Sequence, residues 1–203
     1  MTKTILLSTL ALALAALSAP DAVAQPGAGY AEPPPPIRTA PQVRRGLTLG
    51  FDLGLGSMDS ESSLAVCDGC DGDQAAGRLG FWIGAMVNPR LALMLHGSVT
   101  GQSLDDNGDQ TLINSTGMIA AKLWVSRRLW LKAGLGFASL TISDEFGDQE
   151  LGEGGAGMLG IGFEAVHSRN FALDISLTAT SSTYDDINEE ISTGTLNLGF
   201  NWY

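Results

Sequence analysis

The chain has 203 residues, enough for one domain with a sizeable hydrophobic core. Its 22 acidic and 11 basic residues give a formal net charge of −11. This balance excludes the strongly basic surface typical of nucleic-acid-binding proteins, and no nucleic-acid partner is expected.

The N-terminal segment has the features of an export signal. Lys3 precedes an apolar run from Ile5 to Leu17, and the small residues Ala22-Val23-Ala24 follow it. A positive start, a short apolar core and an A-x-A site predict a secretory signal peptide over residues 1–24. A membrane-anchoring helix is the alternative, but the run is too short to span a bilayer well.

A proline-rich segment follows, over residues 25–44. Its run from Pro33 to Pro36 predicts an extended, semi-rigid linker. Beyond residue 44 the only proline is Pro89, and such a scarcity is typical of β-strands, whose ladders need backbone N–H donors. We therefore expect one folded domain over residues 45–203.

Two cysteines, Cys67 and Cys70, lie in the sequence CDGCDGD. In an exported protein a C-x-x-C pair can be a redox motif, half of a metal site or a local disulfide. The chain has no second C-x-x-C pair for zinc, and no strand-to-helix pattern supports a redox motif. We predict a disulfide that pins a loop and has little effect on assembly, because the ring it closes is short.

From residue 46 onward, apolar residues alternate with small or polar residues in eight segments. This period of two predicts β-strands, and no segment shows a convincing helical period. The predicted strands cover residues 47–55, 78–87, 91–96, 118–125, 129–137, 158–165, 171–179 and 195–202.

The connections between the predicted strands alternate in length. Three are tight turns, at residues 88–90, 126–128 and 167–170, and the four between them are long and polar. Short turns at one end and long loops at the other are typical of an outer-membrane barrel. A soluble barrel is the alternative, but it would present a charged face to water. Here the second face is Gly, Ala, Ser, Thr, Met and Trp, with few charges.

The closing segment GTLNLGFNWY resembles the C-terminal strand that the barrel assembly machinery recognises in outer-membrane proteins. With the strand pattern, it makes residues 45–203 similar to the small eight-stranded barrels typified by the OmpA membrane domain and OmpX. The resemblance implies an all-β, eight-stranded antiparallel up-and-down transmembrane β-barrel in the bacterial outer membrane, with its linker in the periplasm. It implies outer-membrane lipid and the assembly machinery as partners. The family's final aromatic is usually in phase with the apolar positions, whereas here Trp202 is in phase and Tyr203 lies one residue beyond.

The charges are divided between the two ends of the predicted barrel. The four long loops carry acidic residues without Lys or Arg, which predicts hydrated extracellular loops. The turns carry only basic charges, at Arg90, Arg127, Arg128 and Arg169. Three tryptophans also fall near the turn end and predict an interfacial girdle: Trp124, Trp130 and Trp202.

Two acidic loop stretches are candidates for binding Ca²⁺, and no other cofactor is expected. Their carboxylates are Asp68, Asp71 and Asp73 in the first stretch and Asp105, Asp106 and Asp109 in the second. Closely spaced oxygen ligands suit Ca²⁺, but neither stretch matches the EF-hand pattern. Hydration of the surface is the alternative role of these acids.

Six titratable residues share the lumen face at similar distances from the turns: Asp52, His96, Lys122, Lys132, Glu164 and Asp174. Side chains just fill the interior of an eight-stranded barrel, and buried charges need partners. We therefore predict an ion-pair cluster that plugs the lumen, with a direct or near-direct Lys132–Glu164 pair completed by Lys122 and Asp174. A narrow or gated, porin-like pore or a small-molecule site is the alternative.

The spacing His96-x-Ser98 resembles that of the lipid A 3-O-deacylase family, whose chemistry needs a histidine to activate the serine. That family's pair faces lipid, whereas here both residues fall on the predicted lumen face. Polar filling of the lumen is the alternative, and no enzymatic activity is expected. The sequence therefore predicts a structural or surface-interaction protein, with a pore, a small-molecule-binding barrel or a deacylase-like enzyme as alternatives.

Overall fold

The structure, a computed structural model, describes residues 44–60, 75–104, 110–144, 147–168, 170–185 and 187–203. The chain divides into the units Met1–Ala40 and Pro41–Tyr203, and every described residue belongs to the second unit. Within the described ranges, no helix has the length and apolar character needed to cross a membrane.

Eight antiparallel strands form a closed barrel, in which each strand pairs with its neighbours along the chain. The strands are β1 Leu47–Ser60, β2 Ala76–Asn88, β3 Leu91–Ser103, β4 Thr111–Trp124, β5 Leu129–Asp144, β6 Gly147–His167, β7 Phe171–Tyr184 and β8 Glu189–Trp202. The last strand closes the barrel on the first, with Phe51 opposite Phe200. Closure satisfies the backbone groups that an open edge would leave unpaired in lipid. The predicted fold class is confirmed.

The two faces of the barrel wall differ in polarity. Outward side chains form an apolar belt, in which Leu135 is 75% and Phe137 81% exposed. Inward side chains are buried and largely polar, as Thr178 and Asn197 illustrate. This inversion of a soluble protein is favourable in a bilayer, where the lipid tails replace water around the apolar face.

The strands are longer than predicted, with 13 to 21 residues instead of the about ten needed to cross the bilayer at a tilt. The added length lies at the loop end, where β5 and β6 pair until Asp144 meets Gly147. The prediction of a long loop is therefore wrong for the β5–β6 connection. It is also wrong for the β7–β8 connection, which consists of residues 185–188. The apolar period ends where the belt ends, while the backbone ladder continues through Ser, Thr and Gly and, on β6, through acidic residues.

The predicted tryptophan girdle is wrong for two of its three members. Trp124 and Trp130 are 1% and 2% exposed, and their indoles lie in the lumen. Trp202 alone of the three faces outward, with its ring centroid 5.4 Å from that of Phe171 and 6.0 Å from that of Phe51. Distance from the turn placed all three at the interface, but the alternation of side chains along a strand decides which face each one occupies.

The closed ladder predicts heat-modifiable migration in SDS gels. The folded barrel should resist SDS until the sample is boiled, because unfolding requires the whole ladder to open together. Boiled and unboiled samples of the purified protein should therefore run at different positions. Identical migration, together with recovery in the soluble periplasmic fraction, would contradict the barrel.

Candidate functional site

Charged side chains fill the lumen on the turn side of its centre. The residues predicted for the lumen charge cluster all point inward and are buried: Asp52, His96, Lys122, Lys132, Glu164 and Asp174. Two further buried cations, Arg44 and Arg78, lie with them. From the turn end toward the loop end, these charges form three groups.

The first group, the turn-end cluster, surrounds the carboxylate of Glu164 and contains Arg44, Trp124, His167 and Tyr203. Arg44 forms an ion pair with Oε2 of Glu164. The indole N–H of Trp124 and the hydroxyl of Tyr203 donate to Oε1 at 2.7 and 2.8 Å. Glu164 is 0% exposed, and a carboxylate at such depth is costly unless donors satisfy it. These donors stabilise the charge and close the turn end of the lumen.

Arg44 enters this cluster from the segment before β1. Its guanidinium donates to the backbone carbonyl of Arg127 at 2.8 Å, and its Cζ lies 4.6 Å from the ring centroid of Trp124. The ring centroid of Tyr203 is 5.6 Å from the same atom. Arginine suits this position because its planar group can stack on rings and pair with a carboxylate together.

A β-bulge brings His167 to the same carboxylate. The register between β6 and β7 shifts between Glu164 and Val166, so that Ala165 and Val166 both face outward. His167 is thereby turned toward the lumen, and its Nδ1 lies 2.7 Å from Oε2 of Glu164. Bulges commonly re-aim side chains in this way.

The second group, the middle pair, consists of Lys122 and Asp174. Their Nζ and Oδ2 atoms are 3.1 Å apart. Asn201 links the pair, since its side chain accepts from Lys122 at 2.9 Å and donates to Asp174 at 2.8 Å. Trp130 donates its indole N–H to Asp174 at 3.1 Å, and the Lys122 ammonium lies 4.0 Å from the Trp130 ring centroid. The pair is therefore held by charge, hydrogen bonds and a cation–π contact.

The third group, the upper group, places Asp52 between Arg78 and Lys132, with His96 beside Lys132. Asp52 Oδ1 lies 3.6 Å from Nε of Arg78, and Oδ2 lies 4.0 Å from Nζ of Lys132. Lys132 Nζ also lies 3.3 Å from Nε2 of His96. The His96 ring stacks on Trp82, with 6.1 Å between the centroids. One carboxylate thus serves two cations in this group.

Glycines provide the space that these buried groups occupy. Asp174 lies opposite Gly199, and a Cβ at Gly199 would come within 2.1 Å of its Oδ1 atom. A Cβ at Gly80 would come within 2.5 Å of Asp52 Oδ1. The indole of Trp130 likewise covers Gly162, where an added Cβ would meet the ring at 2.2 Å. The small residues of the lumen face therefore complement its large ones.

The predicted Lys132–Glu164 pair is wrong. Lys132 is in register with Gly160, and Glu164 lies four residues nearer to the turn on the same strand. Glu164 pairs with Arg44 instead, while Lys132 reaches Asp52 on β1. Equal distances from the turns do not mean equal depth, because neighbouring strands of a tilted barrel are staggered.

Several residues of these groups lie outside the predicted cluster, among them His167, which falls in a predicted turn. Arg44 precedes the first alternating segment, so the sequence placed it in the linker, and no pattern distinguishes it from Arg45. Arg78 does follow the lumen alternation, but it lies farther from the turns than the six predicted residues. The lumen position of Tyr203 could be predicted from the sequence, since Tyr203 is one residue out of phase with the outward-facing Trp202.

Little space remains among the buried charges. A cavity of about 10 Å³ lies between the middle pair and the upper group, lined by Asp52, Trp82, Met94, Lys122, Trp130, Lys132, Asp174 and Ser176. This volume suits about one water molecule, whereas small-molecule sites measure roughly 300–1,000 Å³. Toward the loop end, the lumen-facing Leu112, Leu140 and Ile191 are fully buried and form an apolar layer with Tyr184.

His96 and Ser98 are placed in the lumen without the contacts of a catalytic pair. The imidazole lies against the ammonium of Lys132, where a catalytic histidine would have a carboxylate. Ser98 Oγ lies 2.8 Å from Thr116 Oγ1. This arrangement differs from the histidine-activated serine that deacylase chemistry needs.

Several predicted features lie outside the described residues. They are the signal peptide, the linker up to residue 43, Cys67 and Cys70, the acidic stretches with Asp68, Asp71, Asp73, Asp105, Asp106 and Asp109, and the turn residue Arg169. The disulfide and the Ca²⁺ sites therefore stay predictions. Within the described ranges, no three His, Cys, Asp or Glu side chains are grouped so that they could hold a metal ion.

The middle pair predicts strong coupling between Lys122 and Asp174. Lys122→Met should lower the free energy of unfolding by about 3–5 kcal/mol, because it leaves a buried carboxylate without its cation. Adding Asp174→Asn removes that charge but keeps an oxygen for Trp130, so the double variant should recover much of the loss. Urea titrations in detergent, followed by gel mobility, measure both. Equal destabilisation of the two variants would show that the charges do not couple.

Arg44 and Arg45 form a matched pair for testing the turn-end cluster. Arg44→Ala should cost about 3–5 kcal/mol of unfolding free energy, because Glu164 would lose its buried cation. The neighbouring Arg45 is exposed, and Arg45→Ala should change the same quantity by less than about 0.5 kcal/mol. Similar urea midpoints for the two variants would contradict the role assigned to Arg44.

Comparisons with known proteins agree with this architecture. The family model of the outer membrane protein beta-barrel domain matches residues 8–203. Neisserial surface protein A (NspA) has a similar structure, with 14% identity and a TM-score of 0.54 over 77% of this chain and 96% of that chain. Ail, the attachment invasion locus protein of Yersinia pestis, has 15% identity and a TM-score of 0.52 over 78% of this chain and 99% of that chain. None of the curated proteins matches the chain.

Proposed function

Because the chain belongs to the outer membrane protein beta-barrel domain family and lies in the bacterial outer membrane, we propose that it is a sealed barrel that acts through its loop-end surface. Its role would be structural or one of surface interaction, without enzymatic activity. The observation that carries this proposal is the filling of the lumen by the three charge groups, with a cavity of about 10 Å³ between the middle pair and the upper group. In a barrel closed in this way, the groups that can contact other molecules lie on the outer surface and not in the lumen.

The polar extension of the barrel supports a surface role. Beyond the apolar belt, β6 exposes Asp148, Glu150 and Glu153. Outward-facing serines pair across neighbouring strands at this end, as in Ser115–Ser139 and Ser181–Ser192. Strand pairing fixes the spacing of these groups, so the surface suits a partner that offers cations or hydrogen-bond donors.

The names of two similar structures agree with this role. Ail is named for attachment and invasion, and NspA is named a surface protein. At 14–15% identity these similarities concern the fold, so a surface-interaction role for this chain rests on the filled lumen and the exposed acidic groups.

The last strand supports assembly-machinery recognition as a second element of the proposal. Trp202 is 37% exposed on the outer face, where it packs beside Phe171 and Phe51. Tyr203 instead turns into the lumen toward Glu164. We propose that the outward aromatic group of β8, rather than the final residue, provides the apolar contact for assembly.

Planar bilayers test the sealed lumen. The wild-type barrel should give no stable conductance steps, because an ion would have to displace paired charges and then cross the apolar layer at the loop end. A porin of known conductance, inserted under the same conditions, serves as the positive control. Reproducible steps from the wild type would contradict the proposal and favour the gated-pore alternative.

Lipid A mass spectrometry tests the absence of deacylase activity. Cells that express the wild type and cells that express a His96→Ala variant should contain the same lipid A species. Loss of one acyl chain only with the wild type would overturn the non-enzymatic proposal.

A further inference from the structure

The exposed charges at the turn end form a surface of their own. Among the described residues of this end, the exposed charged side chains are all basic: Arg45, Arg90, Arg127 and Arg128. We call them the turn-end arginine group. The acid of this end, Glu164, is buried and occupied by its own donors. Among the side chains that the structure describes at this end, the group therefore forms a positive surface with no exposed acid beside it.

Arg128 links this positive surface to the apolar belt. Its guanidinium carbon lies 6.0 Å from the ring centroid of Phe163. Phe163 is 47% exposed on the outer face of β6, where it forms part of the apolar belt. A guanidinium that packs against a lipid-facing ring lies at the level of the phospholipid head groups, with its stem along the apolar surface.

The turn that carries Arg128 is fixed by hydrogen bonds. The side chain of Ser126 accepts from the backbone N–H groups of Arg128 and Leu129 at 3.4 and 3.1 Å. The carbonyl of Arg128 accepts from the N–H of Glu164 at 2.9 Å. The backbone carbonyl of the neighbouring Arg127 is held by Arg44. Because these hydrogen bonds already fix the turn, a ligand that binds to it would cost less conformational entropy.

We propose that the turn-end arginine group binds the phosphate groups of anionic phospholipids in the periplasmic leaflet. Short turns of outer-membrane barrels face the periplasm, so this leaflet is the one at the arginines. Guanidinium groups match phosphate oxygens in charge and in bidentate geometry. The lipid tails of the same molecules would lie on the belt beside Phe163. This contact of Arg128 with a lipid-facing ring is why we assign a membrane lipid rather than a soluble periplasmic polymer.

The opposite end of the barrel shows the reverse arrangement. The exposed acids Asp148, Glu150 and Glu153 lie at the loop end, and the predicted loops contain no Lys or Arg. The arginines at the turn end would therefore attract phosphate groups, and the acids at the loop end would repel them. The charge asymmetry also makes Glu150 a suitable control site.

Native mass spectrometry of the full barrel, titrated with phosphatidylglycerol in detergent, tests the proposal. Arg128→Gln should weaken phosphatidylglycerol binding about five-fold, the effect of one basic residue near an anionic lipid surface. A triple variant with Arg90→Gln, Arg127→Gln and Arg128→Gln should weaken it by about a hundred-fold. The control Glu150→Gln should bind like the wild type, and heat modifiability verifies that each variant is folded.

The competing outcomes are separated in the same experiment. Retention of phosphatidylglycerol by the triple variant at wild-type affinity would overturn the proposal, as would equal binding of phosphatidylcholine and phosphatidylglycerol by the wild type. Full displacement by millimolar inorganic phosphate would show a site for free phosphate instead of lipid and would also overturn it. Preferential capture of soluble cell-wall fragments over phosphatidylglycerol would assign the surface to a different partner.

Discussion

The buried carboxylate of Glu164 connects both ends of the barrel chain to its wall. Arg44, just before the first strand, and Tyr203, just after the last, both bind this group. Trp124 contributes a third donor from β4. Because a carboxylate in a confined lumen is stable only when its donors are in place, the cluster is satisfied only in the closed barrel. Closure of the β1–β8 seam and closure of the turn end are thus coupled.

The same constraint organises the charges deeper in the lumen. Register places Lys122 opposite Lys132 and Glu164 opposite Asp174, which are unfavourable like-charge pairs across neighbouring strands. Each of these side chains therefore finds its partner elsewhere, as Lys122 does with Asp174 and Lys132 with Asp52. The resulting contacts cross the lumen between strands that are not neighbours, so they brace the wall and fill the space that a pore would need.

Sequence periodicity predicted the barrel because lipid and lumen impose a strict alternation on each strand. Segments such as residues 47–55 and 129–137 carry that alternation clearly. It fades where the strands leave the lipid, which explains why periodicity predicts a loop for the paired extension through Asp144. Hydrogen-bond ladders need no apolar pattern, so composition alone does not define their ends.

The lumen site was predicted only in part, for reasons that concern geometry. Which face a residue occupies follows from a period of two, and this placed His96 and Lys122 in the lumen. Which charges meet depends on the stagger of the strands and on side chains that cross the lumen, and neither is encoded in local spacing. The position of Arg44 depends on a tertiary contact with Glu164, for which the flanking sequence offers no signal.

A double-mutant cycle between Arg44 and Glu164 tests the central claim most directly. The quantity to measure is the free energy of urea unfolding for the wild type, Arg44→Met, Glu164→Gln and the double variant. A carboxylate that depends on Arg44 predicts a coupling energy of several kcal/mol, with the double variant more stable than Arg44→Met alone. Additive effects, with coupling below about 0.5 kcal/mol, would show that Glu164 does not hold the N-terminal segment and would contradict the account.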